Sequence, residues 1–388
     1  MKMLRMNDAF GHPIGSINWF GVHTTSVSNR YRKVCYDNKG YAADFFEEHV
    51  KKESQRNSIM TFSQDATGDV SPNFKWSAKN REYRGMYTDD YESASFNGEL
   101  QFKLAKQIFQ DANVNGTTIE GELDHFHCYV DMSSVLIDPI YTGGLVNERT
   151  ADPTWGMSFL EGTTDGKGAS KVVGQAIRVF LSSLKRIDIL SARLNKDLEQ
   201  RYKVVDYYRA HHPKHIIIDH ASGRVAGAKH PEKLLVPSFV DPAVKNIKYA
   251  NKVGYGKKTP WIPRILPLQI FIIGSMALVG IPAEITTIAG KQLRETLAPI
   301  LAQRGVHIIQ LCPYANSYAG YITTPSEYKL QLYEGGHTLF GKWTLSAYRM
   351  QFANMAHQLL KPKTERSLDG VKPEMLSMDD IWQGFDLQ

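Results

Sequence analysis

A mixed α/β architecture of layered β-sheets flanked by helices follows from three features of this sequence. Short apolar blocks bounded by Gly, Pro and polar residues alternate with segments of helical periodicity along the chain. The alternation is most regular in the last third, where strand, strand, helix, strand and helix patterns succeed one another. The 388 residues are 42% hydrophobic and 22% charged, which supplies a substantial core and lies far from the composition of disordered or collagen-like chains.

The first strand is expected over residues 14–23 (IGSINWFGVH), running into the polar loop TTSVSNRYRK. Residues 37–52 (DNKGYAADFFEEHVKK) place Tyr41, Phe45 and Val50 near helical spacing, with acids early and lysines last, as the helix dipole favours. A short apolar run at 59–62 meets the turn-rich QDATGDVSPN, where Gly68 is expected to free the turn and Pro72 to hold Ser71 extended. Phe96, Leu100, Leu104 and Ile108 step by four and predict a helix that ends near residue 112. The stretch 117–137, which contains HFHCYVDM, is strand-like.

Residues 141–170 are rich in Gly and Thr, including GTTDGKG, and precede a helix expected over 172–184. From 205 to 262, His, Lys and Pro crowd around one strand candidate, HIIID at 215–219, and the region reads as an insertion. The longest apolar stretch, 265–288, is interrupted by Pro267, Gln269, Gly274, Ser275, Gly280, Pro282 and Glu284. Two strands turning at Gly274 and Ser275 are therefore expected, and a membrane-spanning helix is not. A helix over 286–304 presents Leu293, Leu297, Ile300 and Leu301 on one face, and a strand follows at 306–311. The last helix, 344–360, aligns Leu345, Tyr348, Phe352, Met355, Ala356 and Leu359 until Pro362 ends it.

The net charge is +6, with basic residues scattered or paired, as at Lys51-Lys52 and Lys257-Lys258. No stripe or tail of the kind that binds nucleic acid is present, so no nucleic-acid partner is expected, while a mild positive charge suits an anionic membrane surface. Cys35, Cys128 and Cys312 form no CxxC pattern and no disulfide framework. The N-terminal MKMLRMNDAFGHP lacks the apolar core of a signal peptide.

No P-loop, GxGxxG, HExxH or GxSxG motif occurs. What remains are polar residues at strand ends and Gly-flanked loops. Ser71 in GDVSPN is readable as a held nucleophile or as a turn serine bonding its own backbone. His23 follows a strand and suits either a metal or a structural hydrogen bond. Glu284, between an apolar run and a helix, fits a metal ligand and a helix N-terminal dipole partner alike. His125 and His127 share one face of a strand, as zinc-binding pairs do and as ordinary half-buried strands also do.

At GDVSPN and four further blocks the sequence resembles the neutral ceramidases, zinc amidases that hydrolyse N-acylsphingosine to sphingosine and a fatty acid. The other blocks are INWFGVHTTSVSN with DNKGYAA (17–43), SFLEGTTDG (158–166), PLQIFIIGSMALVGIPAEITTIAGKQLR (267–294) and ANSYAGYITTPSEYKLQLYEGGHTLFGKWTLSAY (315–348). The resemblance implies that Ser71 is the catalytic serine and that His23, Glu284 and Tyr321 bind Zn2+. It also implies that Tyr333 contacts the substrate near its amide. A tyrosine lies outside zinc's usual Cys, His, Asp and Glu set, so spacing alone does not suggest it.

The resemblance further implies a ceramide or other sphingolipid substrate, a membrane surface as partner and a secreted or membrane-associated setting. On this basis residues 1–362 are expected to be the later part of a ceramidase-type catalytic domain, and 363–388 a tail or linker. The family's domain starts upstream and carries there a His-x-His segment with a further zinc ligand, and an immunoglobulin-like domain follows it. His125 and His127 come after Ser71 in chain order, so they are expected to be structural. Two alternatives accompany this reading: a catalytically incomplete, lipid-binding relative, and a site completed by an upstream polypeptide.

Overall fold

The computed structural model describes residues 1–28, 31–166, 168–228, 249, 262–367, 370–373 and 375. Much of the expected insertion at 205–262 and most of the expected tail lie outside the described residues. The chain divides into two compact units, one of Met1–His125, Thr163–Lys167 and Ile270–Ala315, the other of Phe126–Gly162, Gly168–Gln269 and Asn316–Gln388.

In the first unit, strand β1 (Lys2–Asn7) pairs antiparallel with β2 (Pro13–Trp19), and β2 runs parallel to β3 (Ile59–Ser63). Helix α1 (Asp37–Ser54) turns Ala42, Phe46 and Val50 inward, the four-residue step of one helix face. Helix α2 (Asp90–Asn115) begins six residues before Phe96, the first apolar position of its pattern, because Asp89 caps it by accepting from the Glu92 amide. Phe46, Val50, Met60, Ala105 and Phe109 form the core between these elements. Each large side chain buried there stabilises the fold by about 1.5–3 kcal/mol.

Short strands β4 (Lys75–Ser77) and β5 (Glu82–Arg84) make a hairpin, and β6 (Leu123–Asp131) follows α2. The apolar stretch forms β10 (Ile265–Ile273) and β11 (Met276–Ile281), the turn made by Gly274 at φ 52°. β11 runs parallel to β13 (Ile308–Pro313), giving the strand order β13-β11-β10-β6. Between them lie β12 (Glu284–Ile285) and helix α6 (Thr287–Leu301), whose Ala289, Leu293, Leu297 and Leu301 are buried at steps of four. Among the described residues no helix is long and apolar enough to cross a membrane.

In the second unit, β7 (Thr154–Gly156), β8 (Ile216–Asp219) and β9 (Arg224–Val225) form an antiparallel sheet. Beside it, α3 (Met157–Leu160) and α4 (Lys171–Leu194) enclose a core of Met157, Leu181, Ile217 and Ile218. α4 runs ten residues past the expected end at 184, and α5 (Leu198–Ala210), capped by Asp197, occupies part of the stretch expected to be irregular. After β14 (Tyr321–Ile322), a capping box of Thr324 and Glu327 starts α7 (Pro325–Leu330), and α8 (Tyr333–Gly336) and α9 (Thr344–Leu359) complete the unit. α9 buries Leu345, Tyr348, Phe352, Met355, Ala356 and Leu359, the face its periodicity predicts.

Candidate active site

His23 sits just beyond β2, in a segment stitched to the residues after β3. Phe20 donates its amide to the Ser63 carbonyl, and Gln64 bonds both the amide and the carbonyl of Val22. Gly21 is required between them, since a Cβ there would lie 2.1 Å from the Ala66 carbonyl oxygen. The start of α1 holds the other side. Asn38 donates to the His23 carbonyl at 2.9 Å, while the Asp37 carboxylate accepts the amides of Ser26 and Val27. The DNKG block thus fixes the histidine loop.

Two bonds orient the His23 ring. Nδ1 faces the Val70 carbonyl and Nε2 faces the Glu284 carboxylate, each at 2.9 Å. Burial pushes the imidazole pKa down, but the bond to Glu284, the Val70 carbonyl and the charges of Glu284 and Asp165 outweigh it and raise it. Glu284 is buried and also takes the Tyr314 hydroxyl, whose pKa burial and this carboxylate drive upward. Nε2 and the Glu284 carboxylate share a proton at 2.9 Å, and once that proton is lost the same two atoms are free to ligate a cation. The nitrogen and oxygen donors match zinc's preferences.

Ser71 follows Val70 directly and is exposed. Its hydroxyl donates to the Asp165 carboxylate and accepts the Asn73 amide at 3.0 Å. The second bond is the local turn bond of the structural reading; the first lies beyond it. Asp165 is itself held by Thr163 Oγ1 at 2.5 Å and Asn73 Nδ2 at 3.3 Å. Burial pushes its carboxyl up, yet the bonds from Ser71, Thr163 and Asn73 prevail and hold it below the usual carboxylate range.

Two expectations about this loop are corrected. Gly68 does not adopt a left-handed φ; it is needed for close approach, because a Cβ would meet the backbone of residues 284–286 at 3.1–3.2 Å. The helix-start role considered for Glu284 belongs to Asp69, which accepts the Thr287 amide at 2.7 Å and the Thr287 hydroxyl at 2.8 Å.

Tyr321 and Tyr333 lie together in the second unit, with ring centroids 5.8 Å apart and edge-on. Tyr321 is buried, and its amide donates to the His337 carbonyl. Phe159 stacks on His337 at 4.1 Å and meets Tyr333 at 4.9 Å. Gly336 allows this, since a Cβ there would come within 2.4 Å of Ser158 Oγ. The structure therefore groups His23, Glu284 and Ser71 in one unit, and Tyr321 with Tyr333 in the other.

Asp165, Tyr314 and His337 escaped the residue-level reading. Two of them lie in the resembling blocks, TTDG and YEGGH, and that was their available signal. His125 stacks on Phe271 and His127 lies edge-on to Tyr129, in keeping with a structural strand. Among the described residues no three His, Cys, Asp or Glu side chains gather for a metal, and the expected third ligand is a tyrosine, outside that set.

The family model for neutral/alkaline non-lysosomal ceramidase, N-terminal, matches residues 1–239 and 243–350. Neutral ceramidase A of Dictyostelium discoideum is 30% identical over 388 residues, covering 93% of this chain and 48% of that protein. Neutral ceramidase of Pseudomonas aeruginosa is 30% identical over 356 residues, covering 92% and 45%. A solved ceramidase complexed with C2 superposes with a TM-score of 0.70 at 28% identity, over 97% of this chain and 50% of that one. The chain spans about half the length of the curated relatives it matches.

Proposed function

The chain belongs to the neutral/alkaline non-lysosomal ceramidase family, and from that premise we propose that it is a ceramidase, cleaving the N-acyl amide of ceramide to sphingosine and fatty acid with zinc as cofactor. One observation carries the reading: the exposed Ser71 hydroxyl is fixed on Asp165, one residue from the carbonyl that orients His23 toward Glu284. Three separate segments, after β2, after β3 and at β12, thus bring the proposed nucleophile beside the proposed cation-holding pair.

His23 and Glu284 would hold the zinc, with Tyr321 as third ligand by family resemblance, and Tyr333 would meet the substrate near its amide. Zinc supplies Lewis-acid polarisation of an otherwise poor electrophile. The protein's own part is orientation. The Ser71 hydroxyl donates its proton to Asp165 while the Asn73 backbone amide donates to the same oxygen, so the hydroxyl is held from two sides. Attack forms the bond from Oγ to the acyl carbon, the amide C–N bond breaks and sphingosine leaves as the amine carrying the proton given up by the Ser71 hydroxyl; water then cleaves the acyl ester, releasing the fatty acid and returning a proton to Oγ. Residues 1–362 act as part of a catalytic domain, at a membrane surface or in a secreted form.

The test is fatty-acid release from a short-chain ceramide by the purified chain with zinc supplied, beside Ser71→Ala and a chelated sample. Loss of turnover by at least about a hundredfold in Ser71→Ala, and zinc-reversible loss on chelation, are expected. Near-normal turnover by Ser71→Ala would sink the assignment. A folded chain that binds ceramide without hydrolysing it would instead favour the lipid-binding relative, and recovery on adding an upstream polypeptide would favour a site completed in two parts.

A further inference from the structure

Helix α4 is apolar over far more of its circumference than its packing uses. At about 100° per residue, Ile177, Leu181 and Leu184 lie along one seam and face the core of Met157 and Ile217. Val172, Val179, Phe180, Ile187, Leu190 and Leu194 fall on an adjoining arc of about 100° and are all at least half exposed, Leu194 by 86%. A helix on a protein surface ordinarily keeps one apolar stripe of about 100° and turns it inward. Here a second apolar stripe of similar width faces outward.

The charges around this stripe have one sign at its edge. Arg186 and Arg193, seven residues apart and both exposed, border it on one side. Arg178 is engaged by Glu161. The helix's only acidic residue, Asp188, is turned inward, where it accepts the Tyr208 hydroxyl at 2.6 Å. Resting on the ceramidase reading for why a lipid surface is relevant, we propose that the outward face of α4 docks the protein on an anionic bilayer, the six apolar side chains entering the interface and the arginines meeting lipid phosphates.

The experiment is flotation of the full chain with vesicles of equal parts phosphatidylcholine and phosphatidylserine, and with phosphatidylcholine alone. The wild-type chain is expected to float with the anionic vesicles, more weakly with the neutral ones and less at high salt. Ile187→Asp with Leu190→Asp, both exposed and so compatible with folding, should partition at least about tenfold less. Arg186→Glu with Arg193→Glu should abolish the preference for anionic vesicles. Failure of the folded wild-type chain to float, or equal flotation of both double variants, overturns the proposal. So does a dimer in sedimentation that the apolar variant dissociates, since the face would then belong to a second copy. The α4 variants should hydrolyse detergent-dispersed short-chain ceramide normally, whereas Ser71→Ala should float normally, so failure of the docking surface and failure of the enzyme reading are separable.

Discussion

Asp165 sets where the Ser71 hydroxyl points. A serine hydroxyl is a weak nucleophile whose proton rotates freely, and the Asp165 carboxylate, 94 residues away in sequence, fixes that proton in one direction. Asp165→Asn keeps the size but offers an amide in place of one acceptor oxygen. Its kcat should fall roughly a hundredfold with KM little changed, which steady-state kinetics on short-chain ceramide would show. The pH dependence of stability has a definite sign. A carboxyl held below its unfolded value stabilises the fold above the ordinary carboxylate pKa, and that contribution is lost as pH falls through the lower folded value. The stability gap between wild type and Asp165→Asn should therefore be full at neutral pH and close in acid. Ser71, His23 and Glu284 stood out in the sequence as candidates because each sits beside a local signal, a proline, a strand end or a helix start. Asp165 and Tyr314 did not, because what marks them is a partner distant in sequence.

Periodicity carried the elements it could. α1, α6 and α9 bury one face at steps of three and four, and their apolar residues show it in the sequence. β1 is half-buried along nearly its whole length and shows no alternation, and α5 buries only Ala210, so neither offers a period to find. The polar first turn of α2 is likewise invisible to an apolar pattern, and only the Asp89 cap announces it. The loops that shape the site are legible through close approach, which sequence registers only as a glycine. Gly21 is the sharpest case. An added Cβ would stand 2.1 Å from the Ala66 carbonyl oxygen, with backbone bonds on either side resisting a shift. Gly21→Ala should destabilise the chain by about 1–3 kcal/mol, lowering the urea midpoint, and an unchanged midpoint would show that the loop moves freely.

A molecule of 388 residues with a net charge of +6 need not owe its pH response to its surface alone, and the buried Lys39 makes a contribution of definite sign. Lys39 lies inside the first unit, donating to the Phe20 carbonyl and to Gln101 Oε1, and burial lowers its pKa to about 7, with Asp65 opposing the shift. Between about 7 and the ordinary lysine value, the unfolded chain holds a proton that the folded chain has released. Unfolding then takes up a proton, so stability rises with pH across that window, by at most about 1.4 kcal/mol per pH unit. Below the window both states are protonated and the cost of burying the charge is constant. Lys39→Met removes the charge and its two hydrogen bonds together. Relative to wild type, the variant should be at its best near pH 6 and lose ground steadily toward pH 10, where neutral Lys39 keeps its bonds without the charge. Urea unfolding at a series of pH values measures this directly, and a difference between the two proteins that stays flat from pH 6 to 10 would mean that Lys39 keeps an ordinary pKa in the folded chain.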